Sequence, residues 1–526
     1  MLANKLVSPQ ARVLLATMLA VSLGMLSGCV TTVKRLADLP AKGTVSSTEE
    51  TSPVGALSPP TERAWPNATQ DVLNQRARNF GLVNAPEMQR YLNGLYARLK
   101  TQAGVAGWPG TVHILATDAL NAYATAAGNI YVSLPWLSSV ESEDELVALL
   151  SHEFGHIYLH YHQLEGAVAD ANTAADAVSL GIAIAKNTAQ ATGWTQLDSF
   201  TTAYTLSRGL VTTIYSRSQE SAADNFGLNL SLKLGYSYEH GMKAFLERMA
   251  TWEERNEERE KARQQQLVKA LRESSKNGVS AEINTTLQNM AFDLNKAFAK
   301  MRSDHPETQQ RIDALALAVE PFPQVQTSRE PIMAPLKSAL QERRTTAILK
   351  NYALAFQAIN APWDPASAEA AKRAVTAPTA NHAVPLFALY TVLNEHAVAT
   401  GNRRVDPGQV LEANFNSEPD RSWKTYLERS SALKERHKTA DAKKVMEAGL
   451  AYFRHAEEAW PDAVRFVGLT DGWNEAKRMA GDCGKNFRRM SSRCTQAAIS
   501  PAERAKTEQL EKRKAEHIVD KIFKKK

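Results

Sequence analysis

A chain of 526 residues with 62 Lys and Arg against 56 acidic residues carries a formal charge of +6, too diffuse over this length for a nucleic-acid footprint. The length exceeds what one hydrophobic core organises, so two folded domains and a tether are expected. The 44% hydrophobic content is that of an ordinary soluble protein.

Lys5 and Arg12 flank the apolar stretch Val13 to Leu26, which is short for a membrane span and ends in Leu26-Ser27-Gly28-Cys29. That run resembles a bacterial lipobox. Residues 1–28 are expected to be a lipoprotein signal peptide and Cys29 to carry the lipid. The residue after Cys29 is not Asp, which in such lipoproteins implies the outer membrane. Lipidation of Cys29 leaves Cys483 and Cys494 as the remaining cysteines, a pair expected to bridge in an oxidising compartment.

Residues 29–67 read as a tether, since Ala37 to Asn67 is rich in Pro, Ser, Thr and Gly and cannot bury enough to fold. A domain over 68–330 follows. It opens with a helix through Met88 to Leu99 and strand candidates at Val112 to Ala116 and Asn129 to Ser133. Ser142 and Glu145 form a capping box, and Leu146, Leu149, Leu150 and Ile157 recur behind it at helical spacing, predicting a helix from Glu143 to Tyr161. Gln163 to Leu210 is Ala- and Thr-rich and helical in pattern, and a further helix from Ser216 to Leu234 stops at Gly235. The charged stretch Glu239 to Lys276 reads as a solvated helix, and Pro306 starts a helix that runs to Val319. Beyond the Pro-containing junction 321–335, residues 331–526 read as an all-helical domain. Its helix pairs suggest the tetratricopeptide kind, without a clean repeat.

The chemistry concentrates in His152-Glu153-Phe154-Gly155-His156. Two histidines four apart on a helix share one face and can bind one zinc ion, while the adjacent Glu153 can take a proton from a metal-bound water. A third ligand is needed. His160 lies roughly 12 Å along the axis from His152, too far to share a metal, and a metzincin would place Gly and a third His where Leu159 and His162 stand. Glu220 and Asp224 lie four apart on the later helix, with the small Ala222 and Ala223 between them to permit close helix approach. Glu220 would complete the metal site and Asp224 would orient a histidine.

Four segments together carry a family resemblance: Asn121-Ala122-Tyr123-Ala124 running into Gly128-Asn129-Ile130-Tyr131-Val132, the His152–His156 helix, the Glu220 to Asp224 pattern, and His305-Pro306 followed by Arg311-Ile312. Residues about 68 to 320 resemble the HtpX-like and CAAX-prenyl-protease superfamily of gluzincins, in its soluble periplasmic, BepA-like lipoprotein branch. The fold implied is α+β and mainly helical, a zincin-type metallopeptidase domain with a small sheet beside the zinc helix. The implied activity is zinc-dependent endopeptidase action, with one Zn2+ per chain, on misfolded or misassembled envelope proteins. Asn129, Ile130 and Tyr131 would form the substrate edge strand, and His305 would regulate the enzyme by occupying the open metal position at rest. The implied location is the periplasm, lipid-anchored to the outer membrane, with outer-membrane assembly machinery as a partner. Ala126-Ala127-Gly128 departs from the family's usual Pro-Gly-Gly at the edge loop, which bears on substrate preference and leaves the metal site intact. The competing class is a chaperone-like binding module with latent proteolysis. A thermolysin-like enzyme gives no role to His305-Pro306 or to the lipid.

Overall fold

The computed structural model describes residues 64–159, 217–255 and 308–503, apart from residues 79, 327, 328, 363 and 403. The signal segment, Cys29 and the tether up to residue 63 lie outside the described residues, as do His160, His162, the pattern 163–210 and His305. Among the described residues no helix is long and apolar enough to cross a membrane.

Helix α1 (Ala68–Ala77) is capped by the Asn67 side chain, which accepts from the Gln70 amide at 2.9 Å. Helix α2 (Pro86–Gln102) begins with a proline in its first turn, where a missing N–H costs nothing. It buries Met88, Leu92, Leu95, Tyr96 and Leu99, a stripe spaced by three and four. Strands β1 (Val112–Leu115), β2 (Ala122–Ala124) and β3 (Ile130–Ser133) form a sheet in the order β1-β3-β2. β3 runs parallel to β1 and antiparallel to β2.

That order corrects the expectation for Asn129, Ile130 and Tyr131. β3 is the central strand, hydrogen-bonded on both sides, and Ile130 and Tyr131 are 0% exposed, so it offers no edge to a peptide. The outer strands are β1 and β2. The far side of β1 is covered by residues 81–83, with the Val83 amide donating to the Ile114 carbonyl at 2.8 Å. That leaves β2, whose three residues are too short to show a strand pattern in sequence. The Asn129 side chain instead ties the sheet together, accepting from the Thr111 amide at 3.0 Å and donating to the Ala68 carbonyl at 3.1 Å.

After α3 (Leu134–Ser139) comes α4 (residues 143–159), which carries the histidines. Ser142 Oγ accepts from the Glu145 amide at 3.1 Å, and the Glu145 carboxylate accepts from the Glu141 amide at 3.0 Å. Three successive acids at this end favour the helix dipole and fasten it in three directions. Glu143 accepts from Tyr91 at 2.7 Å and Tyr236 at 2.6 Å. Asp144 accepts from the Ser237 and Ile332 amides at 2.8 and 2.7 Å, and Glu145 accepts from Arg248 at 3.0 Å. The metal-site helix is thus clamped at its start by α2, by the segment after Lys233 and by the junction near residue 330.

Helix α5 (Arg217–Lys233) ends before Gly235, whose φ is +81°. A π-helical turn (Tyr238–Lys243) leads into α6 (residues 244–255). The described part of the charged stretch is not simply solvated: Met242, Phe245 and Leu246 are buried against the rest of the domain. Helices α7 (Thr308–Val319) and α8 (Pro323–Gln326) complete this region.

Among the described residues the C-terminal part has only helices as regular elements, as expected. It comprises α9 (Ala334–Gln341), α10 (Arg343–Asn360), α11 (Pro365–Ala374), α12 (Ala383–Ala399), a 3-10 segment (Pro407–Asn416), α13 (Trp423–Glu435), α14 (Thr439–Tyr452), α15 (Trp460–Thr470), α16 (Trp473–Asn486) and α17 (Ser491–Ala497). Sequential helices pack as neighbours, α10 on α11, α13 on α14 and α15 on α16. One core is built from Trp423, Tyr426, Met446, Phe453 and Phe466, and Leu73 and Ala77 of α1 belong to it. Cys483 and Cys494 form a disulfide between α16 and α17, inside a second core with Val464, Ala480 and Met490.

An ionic junction joins α1 to these helices. Glu458 is buried, with Arg78 at 2.6 Å on one side and Arg493 at 2.6 Å on the other. Burial alone would raise its carboxyl, but the two guanidinium charges outweigh that and hold it at about 2. A depressed folded pKa contributes stability above the ordinary value of 4.5 and loses it as pH falls from there through 2. The melting-temperature advantage of wild type over Glu458→Gln is therefore expected to be larger at pH 6 than at pH 3. A gap independent of pH would show that the Glu458 charge is not what the variant removes.

Candidate metal centre

α4 and α5 bring the predicted residues together because small residues let the helices touch. A Cβ on Gly155 would lie 3.1 Å from the Ala223 Cα, and one on Gly227 would lie 2.9 Å from the His152 backbone nitrogen. Any larger side chain at Gly227 pushes α5 away from His152. Behind the histidine, Phe245 packs its ring 5.5 Å from that of His152, and Ser231 Oγ donates to Ser151 Oγ at 3.2 Å. Phe245 has no local sequence signal, since its neighbours read as a charged helix.

His152, His156 and Glu220 are all buried and present ligand atoms within 4.8 Å of one another. His152 Nε2 and His156 Nε2 are 3.2 Å apart, His152 Nε2 and Glu220 Oε2 3.5 Å, and His156 Nε2 and Glu220 Oε1 3.6 Å. Donor atoms bound at 2.0–2.1 Å around a tetrahedral ion stand about 3.3 to 3.4 Å apart, so the three fit a metal centre of this type. The donor chemistry fits as well. His152 Nδ1 lies 2.8 Å from Asp224 Oδ1, which places the ring proton on Nδ1 and leaves Nε2 as an acceptor 3.5 Å from Glu220 Oε2, another acceptor. A cation between them relieves that opposition.

Asp224 is itself held by Arg311 from α7, whose Nε and terminal nitrogen reach its two oxygens at 2.8 and 2.7 Å. The other terminal nitrogen of Arg311 is 3.1 Å from Glu220 Oε2. Burial would raise the Asp224 carboxyl, yet Arg311 and His152 hold it at about 2. Burial likewise opposes charge on His152, but the Asp224 carboxylate outweighs it and raises the imidazole. The sequence marks Arg311 only through the pair Arg311-Ile312, and the fork that grips both acids of α5 is visible only in three dimensions.

Glu153 is buried on the same helix, and its Oε2 has no hydrogen-bond partner among the described residues. Burial pushes its carboxyl up to about 7, near where a general base at neutral pH should sit, and positive charge beside it acts in the opposite direction. The structure therefore gathers His152, Glu153, His156, Glu220 and Asp224 into one buried cluster. The Cys483–Cys494 bridge lies in the C-terminal helices, and Asn129, Ile130 and Tyr131 lie in the sheet.

Comparison with known proteins gives a consistent picture. The chain is 24% identical over 169 residues to the beta-barrel assembly-enhancing protease of Escherichia coli, covering 32% of this chain and 34% of that protein. The protein of the same name from Shigella flexneri matches to the same extent. The chain thus matches about a third of the length of these relatives. Residues 86–318, which include α2, the sheet, α4, α5 and α7, match peptidase family M48. The His152, His156 and Glu220 cluster lies within that match, and this part of the chain is a metallopeptidase domain similar to peptidase family M48.

Proposed function

We propose that the chain is a zinc-dependent endopeptidase of the bacterial cell envelope that hydrolyses misfolded or misassembled proteins. The observation that carries this reading is the spacing of 3.2, 3.5 and 3.6 Å among His152 Nε2, His156 Nε2 and the Glu220 carboxylate. When bound there, zinc supplies Lewis acidity that makes water nucleophilic near neutral pH and polarises a peptide carbonyl. His152, His156 and Glu220 hold the ion. Asp224 keeps the His152 proton on Nδ1, and Arg311 keeps Asp224 and Glu220 in register. Glu153 takes the proton released as the water oxygen bonds to the carbonyl carbon, and returns it to the amine nitrogen as the C–N bond breaks. With the far side of β1 covered by residues 81–83, β2 is the outer strand to which an extended peptide would add by main-chain hydrogen bonds.

The relatives' name supports an envelope substrate connected with β-barrel assembly, and hence outer-membrane assembly machinery as a partner. A lipid on Cys29 and residence in the periplasm at the outer membrane belong to the same reading, as does latency imposed by His305 at rest. The C-terminal helices would present clients to the site.

Purified full-length protein is expected to contain one zinc ion per chain and to degrade an unfolded model protein. Stripping the metal with a chelator should lower cleavage by about a hundredfold or more, and added zinc should restore it. Stoichiometric zinc with no cleavage of any unfolded protein would favour the chaperone-like reading instead.

A further inference from the structure

We infer that α1 is a strut through which the C-terminal helices set the position of the β2–β3 hairpin, with Asp71 as the positioning residue at its sheet end. In its kinetic consequences the inference rests on the peptidase reading above; in its structural ones it does not. α1 has two working faces. On one, Asp71 and Gln75, one turn apart, address the hairpin. Asp71 Oδ2 accepts from Thr125 Oγ1 at 2.8 Å, from Asn129 Nδ2 at 2.8 Å and from Tyr131 Oη at 2.7 Å. Gln75 Oε1 accepts from Tyr123 Oη at 2.6 Å. One carboxylate oxygen thus gathers donors from the hairpin turn and from the central strand, while the outer strand is tied through Tyr123.

The other face belongs to the C-terminal helices. Leu73 and Ala77 are part of the core with Trp423, Met446 and Phe453. Arg76 donates to the Glu418 carbonyl at 2.6 Å, the Arg421 carbonyl at 3.1 Å and Tyr452 Oη at 2.8 Å. Asn74 donates to Glu457 at 3.2 Å. Just beyond α1, the Phe80 ring meets that of Phe387 on α12 at 4.6 Å. Packed apolar contacts fix a helix as a rigid body, whereas the Asp71 and Gln75 bonds are short and directional. A shift of the C-terminal helices therefore carries α1 with it and strains or releases the hairpin. The outer strand of that hairpin is the one an extended substrate would join, so occupancy of the C-terminal helices by a client would alter how the sheet receives a chain. By linkage, a peptide on the sheet must then alter client binding at the helices equally.

The experiment uses the full-length zinc-loaded protein and two variants, Asp71→Ala, which removes the sheet end, and Arg76→Met. Among the described residues the Arg76 side-chain hydrogen bonds go only to the C-terminal part. Amide exchange across 122–133 is expected to quicken about fivefold or more in both variants, with zinc content and overall helicity unchanged. KM for an unfolded protein should rise by a similar factor while kcat stays within about twofold. Asp71→Asn, which keeps an acceptor oxygen, should recover part of the loss. If Arg76→Met loosens the C-terminal helices yet leaves exchange in 122–133 at the wild-type rate, α1 transmits nothing and the inference falls. If no form of the protein cleaves any substrate, the peptidase reading falls, and the exchange comparison still decides the strut.

Discussion

Glu153→Gln is expected to reduce kcat/KM for protein cleavage by about a thousandfold while leaving the metal content at one per chain. The amide has nearly the shape of the carboxylate but cannot accept the proton that leaves water as its oxygen attacks. His152, His156 and Glu220, which hold the ion, are untouched. The variant should fold at least as well as wild type, because Glu153 Oε2 is buried without a hydrogen-bond partner among the described residues and a neutral group is less costly there. Steady-state cleavage, metal analysis and thermal unfolding on the same preparation separate the effects. Retained activity would remove Glu153 from the mechanism, and loss of metal together with activity would mean that it acts as a ligand.

Glu220→Gln is expected to weaken zinc binding by more than about a hundredfold, beyond the 10- to 100-fold expected for loss of a group that only orients a ligand. The change removes the anionic member of the donor set and leaves Arg311, 3.1 Å from Glu220 Oε2, with Asp224 as its remaining carboxylate partner in this cluster. Asp224→Asn should fall within that 10- to 100-fold range, since the amide can no longer match the Nδ1 proton of His152 and Arg311 together. His160→Ala should have the smallest effect, because eight positions of an ideal helix span roughly 12 Å, too far for one ion to bridge. Competition titration with a chelating dye ranks the three. A larger loss in His160→Ala than in Glu220→Gln would overturn the ligand assignment.

The parts of this site that are local in sequence are legible there. The capping residues Ser142 and Glu145 and the repeat of Leu146, Leu149 and Leu150 announce α4, and the one-turn spacings of His152 with His156 and of Glu220 with Asp224 announce facing helices. What is hidden depends on partners far away in the chain. β2 is too short for its alternation to register, and the edge role expected for Asn129–Tyr131 rests on the family resemblance alone. α1 escapes notice because it has an apolar contact on one side and a polar one on the other, with no single stripe to read. The acids at the start of α4 look like ordinary dipole complements, and nothing nearby shows that Tyr91, Tyr236, Arg248 and Ile332 converge on them. Arg311 is visible as a motif residue, but its hold on both acids of α5 requires that α7 be in place.

The placement of α1 also bears on the order in which the molecule can be built. Arg78 and Glu458 meet although 380 residues separate them in the chain, and Arg76 and Tyr452 meet across 376. A nascent polypeptide that has already exposed the His152 helix still lacks the surface on which Leu73 and Ala77 must come to rest. Contacts of such long separation form late, since the entropy of closing the loop is lost before any of them is made. The sheet beside the metal-site helix therefore gains its outer support only near the end of folding. The protein would thus acquire a fully braced sheet only when almost all of its chain is in hand.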